Sequence, residues 1–182
     1  MQRRVEAFLT VKPYAKQYRF VPLADISPHL AHAAIATEDA RFFDHGGIDW
    51  RVLDALLDKA KDSGHLSRGG STITQQLVKN LFLTTHRSLV RKALEFTLAP
   101  LAEMVLTKER ILELYLNVIE WGPGVYGAEA AAQFHYRTSA KRLTREQAAR
   151  LVACLPAPLE RRPQSMDERA VDIVERMRDM GW

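Results

Sequence analysis

Ser88-Leu89-Val90-Arg91-Lys92-Ala93-Leu94-Glu95-Phe96-Thr97-Leu98-Ala99-Pro100-Leu101-Ala102-Glu103-Met104-Val105 is the stretch whose pattern decides the fold class. Leu89, Ala93, Leu94, Leu98, Leu101 and Val105 recur every three or four residues, the spacing that stacks side chains along one side of an α-helix. Ser88 stands where an N-cap belongs, and Pro100 predicts a kink because it lacks the amide that would bond the carbonyl four residues back. Upstream, Ile73, Leu77 and Leu81 share a helix face behind a Gly/Ser loop, Ser67 to Thr72. Before that, Asp49 can cap a helix with the stripe Val52, Leu53, Leu56 and Leu57, broken by Lys61-Asp62-Ser63-Gly64. Ser27-Pro28 opens another, carrying Leu30, Ala33, Ala34 and Ile35. Downstream, Ile111, Leu112, Tyr115 and Leu116 mark a helix ended by Trp121-Gly122-Pro123-Gly124. Alanine-rich helices follow around Ala128 to Ala132 and Glu146 to Ala153, then a last amphipathic one with Val171, Val174 and Met177. The chain before Pro28 reads as extended or irregular, with Tyr14, Tyr18 and Phe20. Period-two alternation is almost missing. The pattern predicts an all-α body.

Composition narrows the function classes. The 182 residues are 47% hydrophobic and 26% charged, which fits a single globular domain and excludes a disordered chain. Lys and Arg number 26 against 22 Asp and Glu, a formal +4, and the pI is about 9.3. That mild excess permits an anionic partner but falls short of a dedicated nucleic-acid binder. Cys154 is the sole cysteine, so intrachain disulfides and a cysteine-rich zinc site are excluded. The six histidines show no tight ligand spacing, and no structural metal is expected. No apolar run approaches the roughly 20 residues of a membrane span, and none follows the basic Met1-Gln2-Arg3-Arg4 as a signal peptide would require. The chain is cytosolic, or its targeting or anchoring segment lies outside it.

Three polar clusters can carry chemistry. Glu38 and Asp39 follow the apolar run Ala33-Ala34-Ile35-Ala36, where lost hydration raises a carboxyl's pKa and suits it to proton transfer. The same pair also fits a solvated helix face. Arg68-Gly69-Gly70-Ser71-Thr72 opens a helix, and amides at a helix start favour anions. Thr72, Gln75, Gln76 and Lys79 then line one side, as a cleft for phosphate or sugar would require, or as an ordinary hydrophilic surface would show. Arg87, Arg91 and Glu95 stand four residues apart, which suits either a site or a surface ion pair. Glu113 and Asn117 make a similar polar edge. No GxSxG elbow or Walker loop is present.

Taken in order, these segments resemble the biosynthetic peptidoglycan glycosyltransferases. The run Glu38-Asp39-Ala40-Arg41-Phe42-Phe43-Asp44-His45-Gly46-Gly47-Ile48-Asp49 looks like that family's first motif, and Arg68 to Asn80 is similar to its second. Arg91-Lys92-Ala93-Leu94-Glu95 resembles the third, Lys108 to Asn117 the fourth, and Gly127 to Ala132 the fifth. The likeness runs from about Val21 to Pro163. Trp121 to Gly127 and the ending soon after Pro163 look like the monofunctional members, and no transpeptidase motif is present. Two departures stand out. The family's N-terminal membrane helix is missing, as in a truncated chain. After Ala132 the sequence reads Gln-Phe-His-Tyr-Arg, where the family shows an aromatic pair followed by glycine.

The resemblance implies a lysozyme-like helical globule, one glycosyltransferase domain over 1–182, with a smaller membrane-proximal lobe beside the cleft. It implies polymerisation of lipid II into β-1,4 glycan, with inversion and release of undecaprenyl pyrophosphate, at the periplasmic face of the bacterial inner membrane. Lipid II, the growing glycan, the membrane surface and other cell-wall synthesis proteins are the partners implied, and nucleic acid is not. By resemblance Glu38 is the base, and Glu95 a second carboxylate that orients cations or a divalent ion. Lys79, Arg87, Arg91 and the Gly70–Thr72 amides neutralise the leaving diphosphate. Ser71, Thr72, Gln75 and Gln76 hold phosphate and sugar, Asp39 fixes local geometry or the donor, and Asn117 lines the substrate site. No obligatory cofactor is implied, though Mg²⁺ or Mn²⁺ bridging the diphosphate is compatible. Three rivals remain: a lysozyme-like lytic enzyme, a helix-turn-helix DNA binder with Ser71 to Lys79 as its recognition helix, and an inactive wall-binding module.

Overall fold

The computed structural model describes residues 16–64, 69–83 and 88–182. Among these, α1 spans Pro28–Glu38, α2 Trp50–Ser63, α3 Ile73–Phe82, α4 Leu89–Val105, α5 Lys108–Val118, α6 Ala128–Tyr136, α7 Arg145–Cys154 and α8 Asp167–Asp179. The caps fall where local sequence puts them. Pro28 opens α1 behind Ser27, and Asp49 accepts the Arg51 and Val52 amides at the start of α2. Ser88 accepts the Arg91 amide at the start of α4, and Pro100 lies inside that helix.

The core is built around α1. Leu30, Ala31, Ala33, Ala34, Ile35 and Ala36 are all buried, so apolar residues surround this helix on several sides instead of forming one stripe. Its alanines let α7 and α8 pack against it, and those two helices also pack on each other. Tyr115 and Leu116 of α5, and Trp121 after it, fill the other side of the same core. A second set of contacts joins α3 to both α4 and α5.

One element lies outside the all-α expectation. A small sheet, ordered β1-β3-β2, joins β1 (Gln17–Tyr18), β2 (Glu120–Gly122) and β3 (Val125–Tyr126). β1 runs parallel to β3, pairing Gln17 with Val125, and β2 runs antiparallel with an irregular register. Strands of two or three residues are too short to show alternation.

Three apolar stripes face differently from a core reading. On α4, Leu89, Val90, Leu94, Leu101, Met104 and Val105 are exposed, while Glu95 and Ala99 are the buried residues. No residue of α2 is buried, and Val52 and Leu57 of its stripe are exposed. On α8 the buried face is Ala170, Ile173 and Met177, which leaves Val171 outside.

Candidate active site

The central helix ends on a carboxylate: Glu38 is the last residue of α1. Its Oε2 accepts a hydrogen bond from Gln76 Nε2 at 2.8 Å, and Gln76 Oε1 accepts the Tyr115 hydroxyl at 3.3 Å. Gln76 therefore uses both ends of its amide, one to hold Glu38 and one to hold itself. Burial raises the Glu38 carboxyl above its ordinary value; the Gln76 bond and the Lys79 charge pull it back, and Asp39 adds to the rise. Burial also pushes the Tyr115 phenol well up, with Glu38 and Asp39 adding to it, so Tyr115 remains a donor.

Asp39 is buried, with one oxygen for each of two partners. Oδ1 pairs with His45 Nε2 at 2.8 Å, and Oδ2 accepts the Ile73 amide at 2.9 Å. His45 Nδ1 accepts the Gly47 amide at 3.2 Å, so its proton sits on Nε2 and is donated to Asp39. The α3 N-terminus thus meets an anion from within the chain.

Facing groups come from α3 and α4. Glu95, only 3% exposed, lies 3.3 Å from Arg91 Nη1 and 3.1 Å from Lys92 Nζ. Helical spacing of three and four residues brings these groups to one side. Lys92 also donates to Ser71 Oγ at 3.0 Å and lies over the Phe96 ring, tying the Gly69–Ser71 segment to α4. Burial lowers the Lys79 ammonium below its ordinary value; Glu95 and Glu38 raise it, whereas Arg91 and Lys92 lower it. Lys79 thus feels both carboxylates and both neighbouring cations. Groups from α1, α3 and α4 share one electrostatic field.

The structure brings Glu38, Gln76, Lys79, Arg91 and Glu95 together, with Ser71 joined through Lys92. Other expected ligands are placed differently. Thr72 and Gln75, 3% and 1% exposed, form a capping box for α3, and Thr72 Oγ1 donates to the Gly47 carbonyl at 2.6 Å. The Thr72 hydroxyl and Gln75 Oε1 thus cap the helix start, while Gln75 Nε2 is buried with no hydrogen-bond partner. Gly70 (φ +76) packs on α2, where an added Cβ would lie 2.4 Å from Leu56 Cδ1. Asn117 is fully buried and bonds both backbone groups of Val21 as well as the Glu113 carbonyl, so it stitches the N-terminal segment to α5 and has no group left for substrate. Arg87 lies outside the described residues. Lys92 joins the cluster although the sequence reading does not single it out; its i,i+3 relation to Glu95 is the available signal.

Glu95 Oε2 accepts from Lys92 Nζ, while Oε1, 3.3 Å from Arg91 Nη1, is buried with no hydrogen-bond partner. The ligand atoms of Asp39, His45 and Asp49 lie within 4.8 Å of one another; Asp39 is engaged by His45 and Ile73, and Asp49 Oδ1 by Arg41 and the helix cap.

Comparison with known proteins shows which family the sequence matches. The family model described as Transglycosylase matches residues 5–179. A protein of Brucella suis biovar 1 named biosynthetic peptidoglycan transglycosylase is 50% identical over 159 residues, covering 85% of this chain and 70% of its own length. Proteins of the same name from Agrobacterium fabrum and Neisseria meningitidis are 47% identical over 161 residues and 51% identical over 142. These matches cover 87% and 78% of this chain, and 71% and 86% of the relatives.

Proposed function

The chain belongs to the transglycosylase family, and we propose that it extends glycan strands with Glu38 as base and Lys79, Arg91 and Lys92 as the leaving-group site. It is a peptidoglycan glycosyltransferase that acts on lipid II and growing glycan, on the periplasmic side.

The chemistry demanded of such a site is simple to state. The 4-hydroxyl of one substrate attacks the anomeric carbon of another that carries a diphosphate. The O–H proton goes to Glu38, the new C1–O4 bond forms, and the bond from C1 to the diphosphate oxygen breaks with its electron pair leaving on that oxygen. One displacement inverts the anomeric centre. A hydroxyl is a poor nucleophile at neutral pH, so a carboxylate whose pKa is raised towards the working pH is the suitable acceptor. The leaving group departs as an anion and needs positive charge, not a proton. Glu95 holds Arg91 and Lys92 in place and leaves the cluster net cationic. Gln76 keeps Glu38 aimed, and Asp39 fixes the α3 start that carries Gln76 and Lys79. A divalent ion enters only as a companion of the substrate diphosphate, and no step depends on it.

The observation that carries this reading is Lys79, a half-buried ammonium on α3 that feels Glu38 of α1 on one side and the Glu95 cluster of α4 on the other. A lytic enzyme must protonate a sugar leaving group and has no use for such cations.

The outward apolar faces support membrane contact. Leu89 is 90% exposed, and Val105, Met104, Phe82 and Trp50 join it across α4, α3 and the start of α2. No helix among the described residues is long and apolar enough to cross a membrane. The lobe formed by α2 and α4 would lie on the lipid surface, beside the site, where a lipid-linked substrate is delivered.

Incubation with lipid II in detergent, and separately with isolated sacculi, tests the function. Polymeric glycan from lipid II with no soluble fragments from sacculi is expected. Released fragments without polymer would overturn it.

A further inference from the structure

Lys108, the first residue of α5, joins four elements at one ammonium. Its Nζ donates to the His45 carbonyl at 2.6 Å and to Glu103 Oε1 at 2.7 Å, and lies 4.5 Å from the centre of the Phe42 ring. Glu103 Oε1 also accepts the Thr74 hydroxyl at 2.6 Å. The Lys108 and Glu103 side chains are 18% and 10% exposed, so the pair is largely withdrawn from water and each partner depends on the other. The hub therefore grips the loop after α1, the end of α4, the start of α5 and the first turn of α3.

Two routes lead from this hub to Glu38. Through the His45 carbonyl, Lys108 holds the residue whose ring donates to Asp39, the neighbour of Glu38. Through Glu103, it holds Thr74, two residues before Gln76, whose amide hydrogen-bonds Glu38. Neither Lys108 nor Glu103 figures among the groups that set the Glu38 pKa, so the influence travels through position instead of charge.

We propose that Lys108 and Glu103 form a positioning pair that sets the Glu38–Gln76 geometry from behind the site, without touching substrate. This rests on Glu38 being the base. An ammonium in this place keeps the loop after α1 and the start of α3 in one register, so the carboxylate and its amide partner meet.

Lys108→Met keeps the apolar stem over Phe42 and removes both hydrogen bonds; Thr74→Val removes only the Glu103 contact to α3. With lipid II, each variant is expected to lose about 10- to 100-fold in kcat, the scale of a misplaced catalytic group, with KM within about twofold. The acid limb of the rate profile should move to higher pH, because weakening the Gln76 bond removes a stabiliser of the Glu38 anion. Lys108→Arg, which can still donate to both acceptors, should restore most of the rate. Rates are normalised to the folded fraction by circular dichroism. Unchanged kcat and acid limb per folded molecule would overturn the proposal, and if Lys108→Met does not fold, Thr74→Val alone decides it. Glu38→Gln in parallel separates the two claims. Activity in that variant would dismiss the base, whereas a dead Glu38→Gln beside a normal Thr74→Val would dismiss only the positioning pair.

Discussion

At Glu38, function and stability pull in opposite directions. Between the ordinary carboxyl value of 4.5 and the raised folded one, the native protein holds a proton that the unfolded chain has released. Stability therefore falls as pH rises through that window and stays lower above it. Glu38→Gln removes this cost, so its melting temperature should equal the parent's at pH 4 and exceed it at pH 8. A thermal melt at both values checks this, and a gap that closes with rising pH would contradict it. Across the site, Lys79→Ala should weaken binding of a phosphoglycolipid substrate mimic about 10- to 100-fold, the value of one charge-assisted contact, with little change for an uncharged disaccharide. Calorimetry with both ligands decides, and equal losses would remove Lys79 from the diphosphate site. Residue type and spacing left Glu38, Lys79 and Glu95 open between a site and a solvated surface, and the ordered motifs of the resemblance singled them out. The outer partners of Thr72 and Asn117 were hidden, since a buried polar side chain can take them from the tertiary fold, whereas the Thr72–Gln75 capping box is local. Thr72 bonds a carbonyl 25 residues away, and Asn117 the Val21 backbone 96 away.

Helix starts were the most readable elements. Ser27-Pro28, Asp49 and Ser88 all mark observed helix starts because capping is local. The facing of α4 was hidden, since an apolar stripe shows that a helix has two sides but not which one meets protein. The departure after Ala132 gains a physical meaning here. Arg137 closes α6 at φ +53, the sole non-glycine with positive φ among the described residues, at the place where the resembled pattern carries glycine. Arg137→Gly should raise stability by about 0.5–1 kcal/mol, read from urea unfolding, because glycine adopts this conformation without a Cβ clash. Gly47 is the opposite case. At φ +94 it presses on α4, and an added Cβ would lie 2.7 Å from the Ala99 carbonyl carbon. Gly47→Ala should cost on the order of 2–4 kcal/mol in the same assay, since backbone blocks the space.

For the molecule as a whole, α1 delivers Glu38 from the core while α3 and α4 bring cations from a lobe whose outer surface is apolar. That division gives each half its own response to mutation. Replacing Val90 and Met104 by Glu should reduce sedimentation with lipid vesicles while leaving the melting temperature unchanged, because neither side chain is buried. Unaltered sedimentation would move the membrane contact elsewhere. Catalysis in this site rests on one carboxylate performing the proton transfer that its burial prepares. Polymer formed from lipid II by Glu38→Gln, measured beside its binding of a phosphoglycolipid, tests this most directly. A loss of about 10²- to 10⁴-fold in polymer with binding retained is predicted; near-parental polymer from the variant would contradict it.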